Sequence, residues 1–221
     1  PKTTRWLNKS SDDRLKTIAI NAERTRIWPD QLNTLIVVNV PSYQITYWYA
    51  GEAVFESQVI VGKTSRQTPV MTTKLDSIIV NPTWNVPWKI MVEDIIPQVQ
   101  QDPEYLDRKN IKIIPSWTST EFVNPSLVDW QGTNPKAFPY RMRQMSGESN
   151  ALGLYKFNTP NRRAIFLHDT PSKHLFDKES RAFSSGCVRV QHADRFAILL
   201  LENQGLNVER MEQAGNQSNK S

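Results

Sequence analysis

Three runs of β-type residues follow one another closely between residues 35 and 61. Leu35 to Val40 is a mostly apolar run, and Tyr43 to Tyr49 and Ala53 to Val61 follow after links of a few residues. Strands joined by such short links pair antiparallel, because a parallel pair needs a crossover of about a dozen residues or more. The sequence therefore predicts an antiparallel meander, with Ser77 to Val80 as a fourth strand, in a fold that is mainly β with α (α+β).

The segments on either side of this β-rich region have different patterns. Residues 1–34 form a predicted helical or linker segment, in which Trp28-Pro29 marks the end of the helical pattern. Residues 35–214 form the predicted main domain. The polar residues 215–221 are expected to be a disordered tail.

Residues 89–145 differ from their flanks and are predicted to be an insertion in the main domain. Val92 to Val99 and Pro103 to Lys109 have the pattern of short helices, and a loop-rich stretch with four prolines follows them. A long segment with little periodicity inside a compact domain is usually functional or mobile.

Regular patterns return after the insertion. Leu152 to Phe157 and Ala164 to Leu167 are predicted strands, and Asp194 is the predicted cap of a helix that runs to Leu201.

The chain carries a net charge of +5, from 27 basic and 22 acidic residues, with a sequence pI near 9.3. This balance favours anionic partners, but the basic residues are scattered and no nucleic-acid binding is expected. No window approaches the roughly 18 apolar residues of a membrane-spanning helix, so no membrane contact is expected. The chain begins at Pro1 instead of Met, and we expect it to be an excised or processed piece.

Cys187 is the single cysteine of the chain, so an internal disulfide and a cysteine-based metal site are both excluded. It is either a buried apolar residue or a nucleophile. The preceding Ser185-Gly186 is unsuited to a core strand, and a nearby imidazole such as His168 lowers the pKa of a thiol. Arg189 adds a positive charge able to hold a carboxylate. These residues predict a thiolate–imidazolium pair, with amides around residues 186 and 187 available to an oxyanion.

Other candidate sites have less support. His174 lies in a polar loop and His192 at a predicted helix start, where solvated or capping roles are favoured. The three histidines contain no i, i+4 pair, so no metal site is expected. Seven tryptophans are compatible with a carbohydrate-binding surface, although packing is their usual role.

Two motifs, His168-Asp169-Thr170 and Ser185-Gly186-Cys187-Val188-Arg189, resemble the signature of the L,D-transpeptidase catalytic domain of bacterial cell-wall enzymes. The resemblance extends over roughly residues 35–201 and includes features of the larger periplasmic members, which carry a capping insertion. The upstream segments that carry it are Val59 to Lys63 with Arg66, Thr68 and Pro69, Asn81 to Pro87, and Asn150 to Phe157.

The resemblance implies a β-sandwich-like catalytic domain, with residues 89–145 as the cap, and assigns roles within it. Cys187 is the implied nucleophile and His168 the implied base, without a cofactor or a metal. Ser185, Gly186 and Arg189 belong to the implied oxyanion and active-site loop. Predicted substrate contacts are Arg141, Arg143, Phe166, Asp169 and Thr170; Phe166 replaces a tyrosine expected in close relatives, and Asp169 replaces a glycine common in the wider family.

The implied reaction is acyl transfer in the periplasm. The thiol attacks the bond between diaminopimelate and the terminal D-alanine of a donor tetrapeptide stem, and the acyl group passes to the amine of a neighbouring stem. The product is a 3→3 peptidoglycan crosslink, and carbapenems acylate the same cysteine in many members. An L,D-carboxypeptidase or other cysteine peptidase, a member that uses lipoprotein or free D-amino acids, and a non-catalytic wall-binding module remain alternatives.

Overall fold

The computed structural model of the chain describes residues 8–26 and 33–209. Within those residues the largest element is a sheet of eight strands in the order β1-β2-β3-β11-β9-β8-β4, with β10 paired to β3. Its strands are β1 (Leu35–Asn39), β2 (Gln44–Tyr49), β3 (Glu52–Gly62), β4 (Ser77–Val80), β8 (Tyr155–Asn158), β9 (Leu167–His168), β10 (Ala182–Ser184) and β11 (Val188–Val190). The mainly β architecture with a few helices confirms the fold class expected from the sequence.

The first three strands form the predicted antiparallel meander. Leu35 pairs with Trp48 across β1 and β2, and Thr46 pairs with Glu56 across β2 and β3. The turn between β2 and β3 contains Gly51 with φ +84°, a conformation that glycine adopts without steric cost. The alternation of β-branched and aromatic residues therefore specified both the strands and their order.

The main hydrophobic core lies on one face of this sheet, beneath the helix Ala193–Glu202. Phe157 and Phe196 have ring centroids 4.8 Å apart, and Leu167 and Val188 lie in the same buried cluster. Because side chains alternate across a strand, the residues next to Leu167 and Val188 face the opposite side of the sheet. We call that opposite side the site face.

The two strands before the site are shorter than the sequence predicts. The predicted strand Leu152 to Phe157 begins at Tyr155, because Gly153 has φ +62° and the Asn150 side chain holds a turn through the carbonyls of Pro82 and Met145. The predicted strand Ala164 to Leu167 is reduced to Leu167–His168, since Ala164 itself has φ +52°. Turn conformations replace extended backbone at both places.

Residues 84–144 form a second, smaller sheet with its own hydrophobic cluster. Strand β7 (Arg141–Gln144) lies between β5 (Trp84–Asn85) and β6 (Ile111–Ile114), and both neighbours are antiparallel to it. The helices of this unit are α2 (Trp88–Ile90), α3 (Ile96–Gln101) and α4 (Tyr105–Arg108), and a π-helical stretch, Met91–Ile95, connects α2 to α3. Its buried cluster includes Met91, Ile96, Leu106, Ile113 and Met142.

This small sheet begins before the predicted insertion boundary at residue 89, because Asn85 pairs with Arg143. The chain therefore leaves the main domain near residue 84 and returns to it near residue 144 on neighbouring strands. The capping role predicted for residues 89–145 is taken up under the proposed function.

The two longest helices are α1 (Ser11–Thr25), at the start of the described residues, and α5 (Ala193–Glu202), near their end. Ser10 caps α1 by accepting a hydrogen bond from the Asp13 amide, and Trp28-Pro29, the predicted end of this region, lies outside the described residues. Helix α5 has His192, in a left-handed conformation, at the N-cap position predicted for Asp194, which lies in the first turn. None of the helices in residues 8–26 and 33–209 is long and apolar enough to cross a membrane.

Candidate active site

Strand register brings Cys187 and His168 to the site face of adjacent strands. Strands β11 and β9 are parallel, with Val188 opposite Leu167 and Arg189 opposite His168. Val188 and Leu167 point into the core, so Arg189 and His168 point to the site face. Cys187 precedes Val188 and continues the alternation onto the same face. Strand spacing places its Cα diagonally from that of His168, about 8 Å away.

His168 is buried, with 4% of its surface exposed, and a backbone carbonyl holds its ring in place. Nδ1 contacts the carbonyl oxygen of Asp169 at 2.5 Å. Since a carbonyl oxygen can only accept, Nδ1 carries the hydrogen and Nε2 keeps a lone pair in the neutral ring.

The pKa of His168 is lowered from 6.5 to about 3, chiefly by burial and in smaller part by the positive charges of Arg189 and Lys156. The carbonyls of Asp169 and Leu152 favour the protonated ring but do not outweigh burial. The resting imidazole is therefore neutral at the pH of the cell and able to accept a proton.

Cys187 is partly exposed, and its thiol lies 3.6 Å from the carbonyl oxygen of Ala164. Burial raises the pKa of the thiol, while the Phe166 amide and the charges of Lys156 and Arg189 oppose that rise. With His168 neutral as well, the resting pair is thiol and imidazole. The thiolate–imidazolium pair expected from the sequence is therefore wrong for the free protein, because the sequence does not reveal how deeply the two groups are buried.

The loop before Cys187 is fixed by a chain of hydrogen bonds. The Ser184 hydroxyl donates to the Cys187 carbonyl at 2.5 Å and accepts from the Gly186 amide at 3.0 Å. Thr68 ties the same loop to β3, since its hydroxyl donates to the Gly186 carbonyl at 2.7 Å and accepts from the Gly62 amide at 2.9 Å. These bonds hold the backbone on both sides of the sulfur.

The hydrogen bonds of this loop determine which backbone N–H is available to bind an oxyanion. The Gly186 N–H is already bonded to Ser184, so it is not available, contrary to the sequence-based expectation. Among the described residues, no hydrogen bond uses the N–H of Cys187. Gly186 instead supplies a φ of +119°, and a Cβ there would lie 3.0 Å from the Ile165 side chain. Ser185 is exposed and accepts a hydrogen bond from Arg66 at 2.9 Å.

Arg189 is a largely buried cation on the site face without an acidic partner in the described part of the chain. Its Nε is buried and makes no hydrogen bond. Burial lowers its pKa, and the negative charge of an ionised Cys187 would raise it. A guanidinium in this position is suited to bind a carboxylate through its two-pronged edge.

Asp169 and Thr170, both predicted substrate contacts, use their side chains within the protein. The Asp169 carboxylate accepts from the Leu154 amide at 3.0 Å and forms an ion pair with Lys173. The Thr170 hydroxyl accepts from the Ser172 amide at 3.2 Å. Both residues are buried, so these contacts position His168 and the loop after it.

Phe166 lies beside the imidazole, and it reveals a residue that sequence reasoning did not single out. Its ring centroid is 5.7 Å from that of His168, and Lys156 Nζ lies 4.5 Å above the same ring. Lys156 is opposite His168 across β8 and β9. The sequence could have indicated that Lys156 lies on the face opposite to buried Phe157. Only the pairing of β8 with β9 shows that this face is the one that carries His168.

Arg141 and Arg143 lie on β7 of the small sheet. Arg141 donates to the carbonyl of Tyr140 at 3.1 Å, and Arg143 donates to the Asn85 side chain at 2.7 Å and to the Trp117 carbonyl at 3.0 Å. In the described residues no contact joins either arginine to Cys187 or His168. Their part in substrate binding stays a prediction.

The remaining histidines lie apart from this group. His174 is exposed in the 3₁₀ turn Lys173–Asp177, and His192 is exposed at the start of α5. Across residues 8–26 and 33–209, no cluster of three or more histidine, cysteine or acidic side chains is arranged to hold a metal ion.

The chain is similar to known proteins and matches one family model. A protein of Haemophilus influenzae named "Putative L,D-transpeptidase" is 47% identical over 188 residues, which are 85% of this chain and 37% of that protein. The chain thus spans little more than a third of that relative. The solved structure described as "Structure of the Ldtfm-avibactam carbamoyl enzyme" is similar over 76% of this chain and 44% of that chain, with 11% identity and a TM-score of 0.39. The model of the YkuD family, the L,D-transpeptidase catalytic domain, matches residues 33–208, and the chain belongs to this family.

Proposed function

We propose that this chain forms 3→3 peptidoglycan crosslinks by acyl transfer through a thioester on Cys187. The observation that carries the proposal is the position of Cys187 and His168 on one face of adjacent strands, next to the cation Arg189. The family is one of transpeptidases. From the resemblance of the two motifs, Cys187 is the proposed nucleophile and His168 the proposed base. Because the substrate is a cell-wall polymer, we also propose a periplasmic location.

The first half-reaction begins from the neutral pair. As the sulfur of Cys187 attacks the carbonyl carbon of the third stem residue, its proton passes to Nε2 of His168. The N–H of Cys187 faces the developing oxyanion. The C–N bond to D-alanine then breaks, the leaving amine takes the proton from His168, and a thioester remains.

The second half-reaction returns both groups to their starting state. The side-chain amine of a neighbouring stem attacks the thioester carbonyl and gives a proton to His168. The C–S bond breaks, and the sulfur of Cys187 recovers the proton. Charge separation exists only during each transfer, which agrees with the low pKa of His168 and the raised pKa of Cys187.

We further propose that residues 89–145 cap this site. Arg66 supports this role, because its side chain reaches from the Cys187 loop to Glu93 and Asp94 in the insertion. A cap limits the access of water, which would otherwise hydrolyse the thioester. Carbapenems, which carry a strained acyl group and a carboxylate, are proposed to acylate the same sulfur.

The decisive experiment supplies a disaccharide-tetrapeptide and follows both the protein and the products by mass spectrometry. We expect a covalent adduct on the protein, release of D-alanine and a crosslinked dimer. Cys187→Ala should form no adduct with the tetrapeptide or with a carbapenem. Free tripeptide without dimer would replace the proposal with a carboxypeptidase, and an unmodified wild-type protein would replace it with a wall-binding module.

A further inference from the structure

Lys156 extends over the candidate site instead of into solvent. It lies on β8 opposite His168, which in turn lies opposite Arg189, so the three residues form one row across three strands. Its Nζ is 4.5 Å from the centre of the Phe166 ring, and the side chain is partly buried. The aromatic ring stabilises the ammonium in this position through a cation–π contact.

The ammonium has no acidic partner at salt-bridge distance in residues 8–26 and 33–209. Asp76 is near enough for its charge to interact with Lys156, but its carboxylate is bound by Asn158 and Ser77. The Asp169 carboxylate, the acid nearest to His168 in sequence, is paired with Lys173. Lys156 therefore forms no salt bridge within the described structure, and Asp76 is the acid whose charge acts on it from a distance.

Arg189 is in the same situation on the other side of His168. Register places the two Cα atoms about 10 Å apart, and both charges act on Cys187 and on His168. Two positive charges that flank Cys187, neither of them in a salt bridge within the described residues, favour the binding of an anion between them. Arginine provides a two-pronged contact, and lysine provides a point charge.

We propose that Lys156, together with Arg189, forms a carboxylate-binding site beside Cys187 and is a specificity-determining residue for the acyl donor. For the identity of the donor this inference rests on the proposed function, whose stem peptide carries carboxylates. The existence of the anion site does not depend on it. Lys156 acts on the reaction by attracting and orienting the donor.

The first test compares two alkylating agents that react by the same displacement of iodide, anionic iodoacetate and neutral iodoacetamide. In the wild-type protein, Cys187 should favour iodoacetate. Lys156→Met should lower the ratio of the two rates about three- to tenfold, whereas Lys156→Arg should keep it. Lys112→Met is the matched control, because it removes a lysine paired with Asp107 in the small sheet, and should leave the ratio unchanged.

The second test uses donor tetrapeptides in which one carboxylate at a time is amidated. Lys156→Met should raise KM for the free-carboxylate donor with little change in kcat. In the same variant, KM for one of the amidated donors should equal KM for the free-carboxylate donor. Thermal melting of Lys156→Met and Lys156→Arg checks that both fold. Equal alkylation ratios in wild type and Lys156→Met would overturn the proposal, as would an unchanged preference for the carboxylate. A changed ratio without any acyl transfer would support the anion site and contradict the proposed function.

Discussion

Arg66 and Asp94 connect the Cys187 loop to the insertion. Nη2 of Arg66 donates to Asp94 at 3.0 Å, Nη1 pairs with the other oxygen of the same carboxylate, and Nη1 also donates to the Ser185 hydroxyl at 2.9 Å. The Arg66 side chain is 8% exposed, although Asp94 is 41% exposed. These contacts join the helical stretch that carries Asp94 to Ser185, two positions before Cys187.

Replacing Arg66 with alanine should slow acylation of Cys187 about tenfold or more, because the loop loses its support and small displacements of a nucleophile are costly. Arg66→Lys should recover part of the rate, since it keeps the charge but not the forked geometry. The rate is measured by intact-mass analysis after mixing with a carbapenem.

Arg108→Ala is the control for this variant, because Arg108 forms an exposed ion pair with Asp102 in the same unit. It should leave the acylation rate within about twofold of wild type. An equal loss of acylation rate in Arg66→Ala and Arg108→Ala would indicate general destabilisation instead of a specific role of the Arg66 contacts.

Gly153→Ala should destabilise the protein by about 3 kcal/mol or more, and should impair acylation. The backbone φ at this position is +62°, and a Cβ would lie 2.4 Å from a carboxylate oxygen of Asp169. Asp169 would have to move, and its carbonyl is the partner of His168 Nδ1. Urea unfolding measures the stability.

Gly51→Ala provides the comparison, since Gly51 has φ +84° but no atom within 4 Å of an added Cβ. It should show only the backbone strain, about 1 kcal/mol, with normal acylation. If the two variants behaved alike, the contact with Asp169 would have no role.

Thr68→Val should cost about 1 to 3 kcal/mol of folding stability and should slow acylation, because it leaves the Gly62 amide and the Gly186 carbonyl without their partner. Thr73→Val removes an exposed hydroxyl that donates to the Pro160 carbonyl at 2.8 Å, and should change neither property appreciably. The acylation rate and the free energy of unfolding in urea, measured for both variants, distinguish Thr68→Val from Thr73→Val. A Thr68→Val protein with a normal acylation rate would show that the loop does not need this bond.

Folding stability should fall as the pH is lowered from 6.5 towards 3, in part because of His168. Its pKa is about 3 in the folded protein against an ordinary 6.5, so between these values the unfolded chain binds more protons. Each pH unit within that window costs up to about 1.4 kcal/mol from this residue. The free energy of unfolding at several pH values measures the slope.

His168→Asn isolates this contribution, because asparagine does not titrate. Its stability should depend less steeply on pH between 3 and 6.5 than that of wild type, and the two slopes should agree above pH 7. Parallel curves through the acidic range would mean that the imidazole ionises in the native protein much as it does in the unfolded chain.

The parts of the structure that local pattern determines could be predicted from the sequence. The meander followed from alternating β-branched residues with short links. Cys187 and His168 were singled out by the small-residue loop, the strand end and the resemblance of their motifs to a family signature, and their catalytic roles stay a prediction. The turn at Gly153 was missed, because a glycine that follows Ala151-Leu152 also fits a strand. Its positive φ becomes evident only beside Asp169.

Features that depend on pairing between distant segments could not be predicted. Lys156 gains its significance from the adjacency of β8, β9 and β11, and Arg66 from a contact with Asp94, 28 positions further along the chain. The protonation states of Cys187 and His168 were predicted in the wrong direction. They depend on burial, which arises only when the sheet and its surrounding loops are assembled.

Trp84 and Gln144, at the two ends of the small unit, are hydrogen-bonded neighbours in adjacent strands. The pairing of these two ends therefore depends only weakly on the length of polypeptide between them, because lengthening a closed loop adds little entropic cost. The unit of residues 84–144 can therefore be replaced by a longer or shorter one, in evolution or by engineering. Such exchanges would alter the unit that we propose to cap the site, while the strands that carry His168 and Arg189 would stay as they are.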